Sequence, residues 1–483
     1  MNDTKKPNVL FVLTDDQRYD TIHAIGNPYI KTPTLDNLCA EGTAFTQAHI
    51  PGGTLPAVCM SSRAMLHTGR DLFNLHDDGR SIPAEHIMMP EAFRNNGYNT
   101  FGTGKWHNGY QSYARCFSDG AEIYFGGMWD HWNVPTYDFD PTGKYEKLST
   151  ACVGAYFNKT TMRLRTNHIN MGVHSTDLFT DKALQWLEQY DSDAPFFMNI
   201  AYMAPHDPRT MPEPFSSMYN PEDMPLECFC GEHFRYGIED IRDEKLAKCP
   251  RVGKEIQQHI ADYFGMISHL DDRLGKIIDM LKKKGVYDNT IIVFTSDNGI
   301  AVGRHGLMGK QSCYEHSVRI PLVICGPGIP KGQRNEGYHY LHDIFPTLCK
   351  LCDIPIPDSC EGTDFSEAFS DHNSGRESIY SSYGDKVRSY KDKRYKLIEY
   401  RFQDVVETQL FDLALDPLET CNKAQDPSYN DIEKDLRERM IAHYEASNEK
   451  DHPLGKLFWQ RFNKDPDFVE PKAESWINNL FKP

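Results

Sequence analysis

Five short apolar runs rich in β-forming residues recur along the chain, and helical patterns separate several of them. The runs cover residues 8–13 (NVLFVL), 98–101, 195–202, 290–295 and 320–325. Continuous apolar runs of this kind are typical of strands that are buried on both faces of a parallel sheet. Strands that alternate with helices predict a doubly wound, mostly parallel α/β sheet, in which ligands bind beyond the carboxyl ends of the strands.

Two of the intervening segments carry apolar residues at helical spacing. In residues 255–284 eight apolar side chains recur every three or four positions, and Gly285 follows as a C-terminal stop. Residues 178–190 predict a second, shorter helix. No apolar run is long enough to cross a bilayer.

The pattern changes after about residue 375. The segments VRSYKDKRYKLIEYR and TQLFDLALDPLET predict antiparallel strands, and residues 429–446 predict a helix. We therefore predict a large α/β domain at 1–375 and a smaller α+β C-terminal domain at 376–483. The tail from residue 451 is expected to pack over the larger domain.

The balance of charge limits the partners of this chain. The formal net charge is −17, which disfavours nucleic acid or a membrane surface as a partner. The first residues show no signal peptide, so we expect a cytoplasmic protein, or a periplasmic or secreted one if a leader has been removed. The 13 cysteines are expected to be reduced thiols, and the pairs Cys228/Cys230 and Cys349/Cys352 lack a four-ligand zinc pattern.

Acidic and amide side chains follow two of the predicted strands directly. Asp15 and Asp16 come after the first strand, and Asp297 and Asn298 come after the strand at 290–295. Two parallel strands that end side by side would bring four oxygen ligands to one point. Oxygen ligands suit Ca²⁺ or Mg²⁺ better than zinc, so the sequence predicts a divalent metal site here.

The segment PAVCMSSRAMLHTGR (56–70) places Cys59 at the expected start of a helix. Free backbone N–H groups at a helix start favour an anion, and Arg63 lies one helical turn further on. These residues by themselves also fit a buried cysteine beside a surface arginine, or a reactive thiolate whose pKa is lowered by the helix.

This segment resembles the sulfatase signature, in which Cys or Ser is followed by any residue, Pro or Ala, any residue and Arg, and later by Thr-Gly-Arg. Ser61 stands where the signature has Pro or Ala. The resemblance implies that a maturation enzyme oxidises Cys59 to formylglycine, which is hydrated to a diol. One diol oxygen would attack sulfur and release the alcohol. The second hydroxyl would then lose its proton and expel sulfate, a step that a thiol cannot perform.

Basic residues in three further segments resemble motifs of the same family. In GTGKWHNG, the resemblance implies that Lys105 holds the sulfate and that His107 orients the nucleophile. In AYMAPHDP, it implies that His206 contacts sulfate and protonates the leaving oxygen. In GRHGLMGKQSCYEHSVRIPLV, it implies that Lys310 binds the sulfate and stabilises the departing alkoxide. Together with Arg63 and a metal ion, these cations would bind an anion within an acidic protein.

The resemblance extends from residue 8 to about residue 420. It implies an alkaline phosphatase-like fold and a bound Ca²⁺, or alternatively Mg²⁺, with Asp15, Asp16, Cys59, Asp297 and Asn298 as the metal site. It also implies a sulfated saccharide as substrate and a formylglycine-generating enzyme as partner. The region between Gly109 and His174 contains GGMWDHWNVPTYDF and is expected to build the substrate pocket. The candidate substrate-binding residues are His131, Trp132, His168, His174 and His305.

The resulting hypothesis is an exo-acting 2-O-sulfatase for uronic-acid-containing, glycosaminoglycan-like oligosaccharides. One alternative is a phosphodiesterase or phosphonate hydrolase of the same superfamily. Another is an unmatured protein that binds sulfated glycans without cleaving them, and a third is a cysteine hydrolase.

Overall fold

The computed structural model describes residues 5–146, 149–153, 162–226, 242–402 and 405–464, with the backbone alone at 149–153 and 162–164. Cys228, Cys230 and the tail after residue 464 lie outside the described residues.

The strands and helices of the described residues follow one another along the whole chain. The strands are β1 (Asn8–Thr14), β2 (Gly42–Phe45), β3 (Ala48–His49), β4 (Gly52–Gly53), β5 (Asn99–Lys105), β6 (Asp119–Tyr124), β7 (Asn133–Thr136), β8 (Ser149–Val153), β9 (Met162–Thr166), β10 (His168–Met171), β11 (Phe196–Ala201), β12 (Thr290–Ser296), β13 (Arg319–Ile320), β14 (Leu322–Cys325), β15 (Gln333–Asn335), β16 (His339–Tyr340), β17 (Ile379–Tyr383), β18 (Val387–Lys391), β19 (Tyr395–Phe402) and β20 (Val405–Asp412). The α-helices are α1 (Pro33–Glu41), α2 (Val58–Thr68), α3 (Met89–Asn95), α4 (Tyr110–Cys116), α5 (Ser175–Gln189), α6 (Gly253–Lys283), α7 (Glu315–Val318), α8 (Ile344–Leu351), α9 (Asn430–Ala446) and α10 (Pro453–Phe462).

The central sheet has eight strands in the order β15-β2-β14-β12-β1-β11-β5-β6. Strand β1 lies inside the sheet and pairs in parallel with β12 on one side and β11 on the other, and β5 and β6 continue the parallel run. Helices α5 and α6 correspond to the predicted helices at 178–190 and 255–284, and their bounds are closely similar. The predicted doubly wound, mostly parallel sheet is confirmed.

Alternate residues of β1 are buried on opposite faces of the sheet. Val9, Phe11 and Leu13 belong to a hydrophobic cluster that includes residues of α2, α3 and α8. Leu10 and Val12 belong to a second cluster with residues of α1, α5 and α6. Burial on both faces explains why this strand is apolar at every position from Val9 to Leu13.

Residues 320–325, which the sequence groups with the parallel strands, form parts of two sheets. Ile320 belongs to β13 in a three-stranded sheet, whereas β14 runs antiparallel to both β12 and β2. Pro321 separates the two strands. Proline has no N–H to give to a strand pairing, so it interrupts the run.

The predicted antiparallel C-terminal sheet is confirmed in strands β17 to β20, and residues of α9 and α10 pack against it. Its fifth strand, however, is β4, which comes from the N-terminal part of the chain and pairs with β17. Gly52 has φ +104°, and a Cβ there would lie 1.9 Å from the carbonyl oxygen of Ser382, so the pairing requires glycine. The C-terminal sheet therefore contains residues from both sides of the predicted boundary at residue 375, and that boundary stays a prediction.

Buried ion pairs also connect the C-terminal sheet to the central part of the protein. Glu315, at the start of α7, lies 2.7 Å from the Nζ of Lys391 on β18 and 3.0 Å from the Nζ of Lys396 on β19. Lys396 also pairs with Glu419 at 2.7 Å. All four side chains are buried, so two carboxylates and two ammonium groups neutralise one another inside the protein.

Among the described residues, no helix combines the length and the apolar character that crossing a membrane requires.

Candidate active site

The carboxyl ends of β1 and β12 bring two pairs of polar side chains together. Thr14 and Ser296 are partners in the parallel pairing, so the residues that follow them emerge at the same edge of the sheet. The backbone N–H of Asp16 donates to Asp297 Oδ1 at 3.2 Å, and Asn298 Nδ2 donates to Asp16 Oδ1 at 2.6 Å. Four of the five predicted metal ligands, Asp15, Asp16, Asp297 and Asn298, therefore form one buried cluster.

Three oxygen atoms of this cluster have no hydrogen-bond partner among the described residues. They are Asp15 Oδ1, Asp16 Oδ2 and Asn298 Oδ1. A buried acceptor left without a partner costs about 1–3 kcal/mol, and three in one cluster require a common explanation. A divalent cation that prefers oxygen ligands fits these atoms. This geometry agrees with a Ca²⁺ or Mg²⁺ site.

Cys59 is the second residue of α2, beside the same cluster. Its Sγ lies 3.5 Å from Lys105 Nζ, 3.7 Å from His107 Nδ1 and 4.0 Å from Lys310 Nζ. Ligand atoms of Cys59, Asp15 and Asp297 all lie within 4.8 Å of one another. Burial raises the pKa of the Cys59 thiol, so this environment does not activate a thiolate by lowering its pKa.

Arg63 contacts the carboxylate cluster. Its Nε donates to Asp297 Oδ2 at 2.7 Å, and its Nη1 donates to the backbone oxygen of Lys105 at 2.9 Å. Its Nη2 lies 3.9 Å from Asp15 Oδ2. One helical turn after Cys59, the guanidinium thus connects the ends of β5 and β12.

Positive and negative charges in the cluster are equal in number. Three cations (Lys105, Lys310 and Arg63) face three carboxylates (Asp15, Asp16 and Asp297). Lys105 pairs with Asp15, and Lys310 Nζ lies 2.5 Å from Asp16 Oδ1. A divalent cation added to this balanced set would leave an excess of two positive charges, which would attract an anionic ester.

Burial and the neighbouring charges shift the pKa values of two of the three carboxylates, Asp15 and Asp297, in opposite directions. Burial by itself raises the pKa of Asp15, but Lys105, His206 and Arg63 outweigh burial and hold that pKa well below its usual range. Burial and the neighbouring Asp15 raise the pKa of Asp297 to about 6. The cluster therefore holds its charges only because the cations stand next to the carboxylates.

Two histidines face the cluster from the loops that follow β5 and β11. Burial, followed by the charges of Lys105 and Arg63, lowers the pKa of His107 well below its ordinary value, so this imidazole is neutral at neutral pH. His206 Nδ1 donates to the backbone oxygen of Asp207 at 2.8 Å. Its Nε2 consequently faces the cluster, 3.6 Å from Asp16 Oδ2.

Two of the predicted substrate-binding histidines lie behind His206. His131 Nε2 donates to the backbone oxygen of His206 at 2.9 Å, and its Nδ1 accepts from Ser175 Oγ at 2.7 Å. His174 stacks on His131 at 5.2 Å, accepts from the N–H of Thr176 and donates to the oxygen of Thr210. Burial lowers the pKa of His131 to about 4 and that of His174 to about 3. Both rings are therefore neutral, with both nitrogens engaged.

The other three candidate residues are placed apart from this pair. Trp132 is half-buried with its ring edge on His174 at 5.2 Å, and His168 is exposed beside Asp138 at 2.9 Å. His305 donates to the backbone oxygen of Glu419 at 3.0 Å and stacks on Tyr314. In the described part of the chain, these contacts of Trp132, His168 and His305 do not reach the carboxylate cluster. Their role in substrate binding stays a prediction.

Four further residues that contact the loops of this site were not predicted from the sequence. Gln311 adjoins Lys310, and its position beside a motif residue was the only available signal. Arg242, Asp243 and Glu244 come from a distant segment without any motif, and they contact the loops that carry His206 and Lys310.

Comparisons with known proteins cover almost the whole chain. The family described as Sulfatase matches residues 7–354, and the family described as N-sulphoglucosamine sulphohydrolase, C-terminal, matches residues 303–446. An arylsulfatase of Clostridium perfringens is 28% identical over 92% of this chain and 95% of its own length. Iduronate 2-sulfatase of Mus musculus is 26% identical over 73% of this chain and 70% of its own length.

A solved structure extends the comparison to the fold. The phosphonate monoester hydrolase of Agrobacterium radiobacter has a TM-score of 0.68 at 22% identity, over 90% of this chain and 95% of its own. The described architecture, with its large mostly parallel sheet and its antiparallel C-terminal sheet, is the alkaline phosphatase-like fold.

Proposed function

Because the chain belongs to the sulfatase family and is a sulfuric ester hydrolase, we propose that it removes sulfate from saccharides through a formylglycine formed at Cys59. We further propose that Asp15, Asp16, Asp297 and Asn298 hold a divalent cation beside it. The observation that carries this proposal is the short distance between ligand atoms of Cys59, Asp15 and Asp297, which all lie within 4.8 Å of one another.

The two lysines beside Cys59 are suited to bind the sulfate group. Their Nζ atoms lie 3.5 Å and 4.0 Å from Sγ and come from separate segments, the end of β5 and the loop before α7, so they would contact different oxygens of one tetrahedral group. A bound divalent cation would supply a Lewis acid that polarises and orients the ester. Arg63 keeps Asp297 and the end of β5 in place for this arrangement.

The two histidines are suited to move protons at different atoms. His107 is neutral and its Nδ1 faces position 59, so it can accept a proton from a hydroxyl formed there. His206 directs Nε2 toward the cluster because Nδ1 is occupied by the Asp207 carbonyl. From this side it can donate a proton to the leaving oxygen. Lys310 would stabilise the negative charge that develops on that oxygen.

For the substrate, we propose uronic-acid-containing oligosaccharides sulfated at the 2-position, cleaved from a chain end. The likeness to iduronate 2-sulfatase and the aromatic segment at 126–139 support this choice. Sulfated disaccharides that carry a single 2-O-, 6-O- or N-sulfate provide the test, with sulfate release measured by ion chromatography. We expect the 2-O-sulfated uronate to have the highest kcat/KM. Release from the 6-O-sulfated compound alone would contradict the proposed position and leave the sulfatase assignment intact.

The shared fold and the charge of the site support the alternative function, a phosphonate hydrolase or phosphodiesterase. A phosphonate monoester carries one negative charge at neutral pH, as a sulfate monoester does, so a site with balanced cations and carboxylates accepts either. Aryl esters with the same leaving group separate the two functions. We expect the sulfate ester to exceed the phosphonate and phosphodiester in kcat/KM by at least about tenfold, a difference of about 1.4 kcal/mol in transition-state stabilisation.

Ser61→Ala is expected to leave both the conversion of Cys59 and kcat close to their wild-type values. Ser61 Oγ donates to the backbone oxygen of Val58 at 3.1 Å, within its own helix, and the side chain is buried. Conversion is measured by mass spectrometry of the peptide that contains residue 59, and kcat by sulfate release. A Ser61→Ala protein that keeps a free thiol, from a host that converts the wild type, would show that the hydroxyl takes part in maturation.

A further inference from the structure

Three consecutive charged residues that the proposed mechanism does not use lie against two loops of the site. Arg242, Asp243 and Glu244 open a short 3₁₀ turn that ends at Leu246. Asp243 and Glu244 are buried, although charged side chains are rarely buried without a partner. We refer to residues 242–244 as the clamp.

Glu244 binds the backbone directly before Lys310. Its Oε1 accepts from the N–H of Gly309 at 2.9 Å, and its Oε2 accepts from the N–H of Met308 at 3.1 Å. Arg251 neutralises the carboxylate at 2.6 Å and also donates to the oxygen of Gly306. The bend that carries Lys310 is therefore fixed on a buried carboxylate.

Asp243 reaches the same loop through Gln311. Asp243 Oδ2 accepts from Gln311 Nε2 at 2.7 Å, and Gln311 Oε1 accepts from the N–H of Lys310 at 3.0 Å. Gln311 Nε2 also donates to the oxygen of Pro56, three residues before Cys59, at 2.9 Å. A Cβ at Gly309 would lie 2.8 Å from the Cβ of Asp243, so the close contact depends on glycine there.

Arg242 binds Asp207, the neighbour of His206 in the chain. Its guanidinium donates to both oxygens of Asp207, at 2.6 Å and 3.0 Å, and lies 2.7 Å from Asp243 Oδ1. The backbone oxygen of Asp207 accepts from His206 Nδ1 and thereby directs Nε2 toward the cluster. A bidentate pair of this kind fixes both position and orientation.

We propose that the clamp is a positioning device that sets Lys310, His206 and the loop before Cys59 relative to one another. This inference rests on the proposed function, because it assigns these residues the roles stated above. The residues that the clamp contacts in the two loops, Asp207, Met308, Gly309 and Gln311, lie within two positions of His206 or Lys310. Displacement of a reacting group by about 1 Å costs up to about a hundredfold in rate, so the contacts act on the reaction through geometry.

The test compares Glu244→Gln with Asp271→Asn in the full-length, matured enzyme. Asp271 is a matched control because its buried carboxylate also accepts from two consecutive backbone N–H groups, those of Thr34 and Leu35. Among the residues that the structure describes, its hydrogen bonds do not reach the site. We expect both variants to lose thermal stability. Only Glu244→Gln is expected to lower kcat, by about 10- to 100-fold, and to weaken inhibition by inorganic sulfate.

The position of Lys310 is tested by combining the variants. In a Lys310→Ala background, Glu244→Gln is expected to cause no further change in sulfate inhibition, because the carboxylate acts through the lysine. Additive effects, or a Glu244→Gln enzyme whose kcat and sulfate inhibition match those of Asp271→Asn, would overturn the inference. Asp243→Asn weakens the same loop through Gln311 and gives the same readout if Glu244→Gln fails to fold. An inactive wild type would instead overturn the proposed function, and the inference with it.

Discussion

Cys59→Ala is expected to reduce kcat by at least about 10⁴-fold, the scale on which enzymes lose activity with their nucleophile. Cys59 is the residue that faces Lys105, His107 and Lys310, and an alanine methyl group cannot be converted to an aldehyde. The melting temperature should change little, because a single sulfur atom is lost from a polar site. Residual activity above about 1% of wild type would show that another group attacks the ester.

A matched control and a chemical measurement accompany this variant. Cys349→Ala also removes a buried sulfur, from the hydrophobic core at α8, and is expected to keep its activity. Mass spectrometry of the peptide covering residues 52–70 should show the sulfur of Cys59 replaced by a carbonyl oxygen. An active enzyme with an unmodified thiol that is inactivated by alkylation would favour the cysteine hydrolase instead. Tight binding of sulfated glycans without sulfate release would favour the unmatured binding protein.

Asp297→Ala is expected to lose the bound divalent cation and the activity together. The carboxylate belongs to the predicted metal site and also neutralises Arg63, so its removal deprives the site of a ligand and leaves a buried cation without its partner. Leaving a buried charge unpaired costs about 3–5 kcal/mol, and thermal stability is expected to fall as well. Metal content by elemental analysis and sulfate release from the same preparation provide the measurement.

The isosteric variant separates loss of metal from loss of folding. Asp297→Asn keeps the shape and one acceptor oxygen, and is expected to fold while binding the cation more weakly. Asp288→Ala serves as the control, because Asp288 is exposed in the turn directly before the first residue of β12, far along the strand from Asp297. This variant is expected to keep its full metal content. In wild type, a chelator should abolish activity, and Ca²⁺ or Mg²⁺ should restore it. A variant or a chelated enzyme that remains active would rule out the role of the metal.

The sequence predicted the convergence of distant residues where simple sheet geometry determines it. Asp15 and Asp297 each follow a buried parallel strand, and parallel strands end at a common edge, so their meeting required no knowledge of the loops. The start of the helix at Cys59 was also predicted, from the local pattern of the segment at 56–70. These features depend on short segments and on one general rule about sheets.

Other contacts could not be predicted because they depend on where loops pass in three dimensions. Nothing in the local sequence of Arg63 distinguishes a contact with Cys59 from the observed pair with Asp297. His131 is a predicted substrate-binding residue, and nothing in its local sequence indicated that its Nε2 donates to the backbone oxygen of His206. Glu244 lies 66 positions before Lys310, in a segment whose charges resemble those of an ordinary surface turn.

The pairing of β4 with β17 has a consequence for any attempt to move this active site into another protein. Gly52–Gly53 lies six residues before Cys59 and takes its hydrogen-bonding partner from beyond residue 375. Removing that partner would also strip Glu315 of both lysines, five positions after Lys310. The segment that carries out the chemistry is therefore not a transplantable module, because its reactive loops are completed by the far end of the chain.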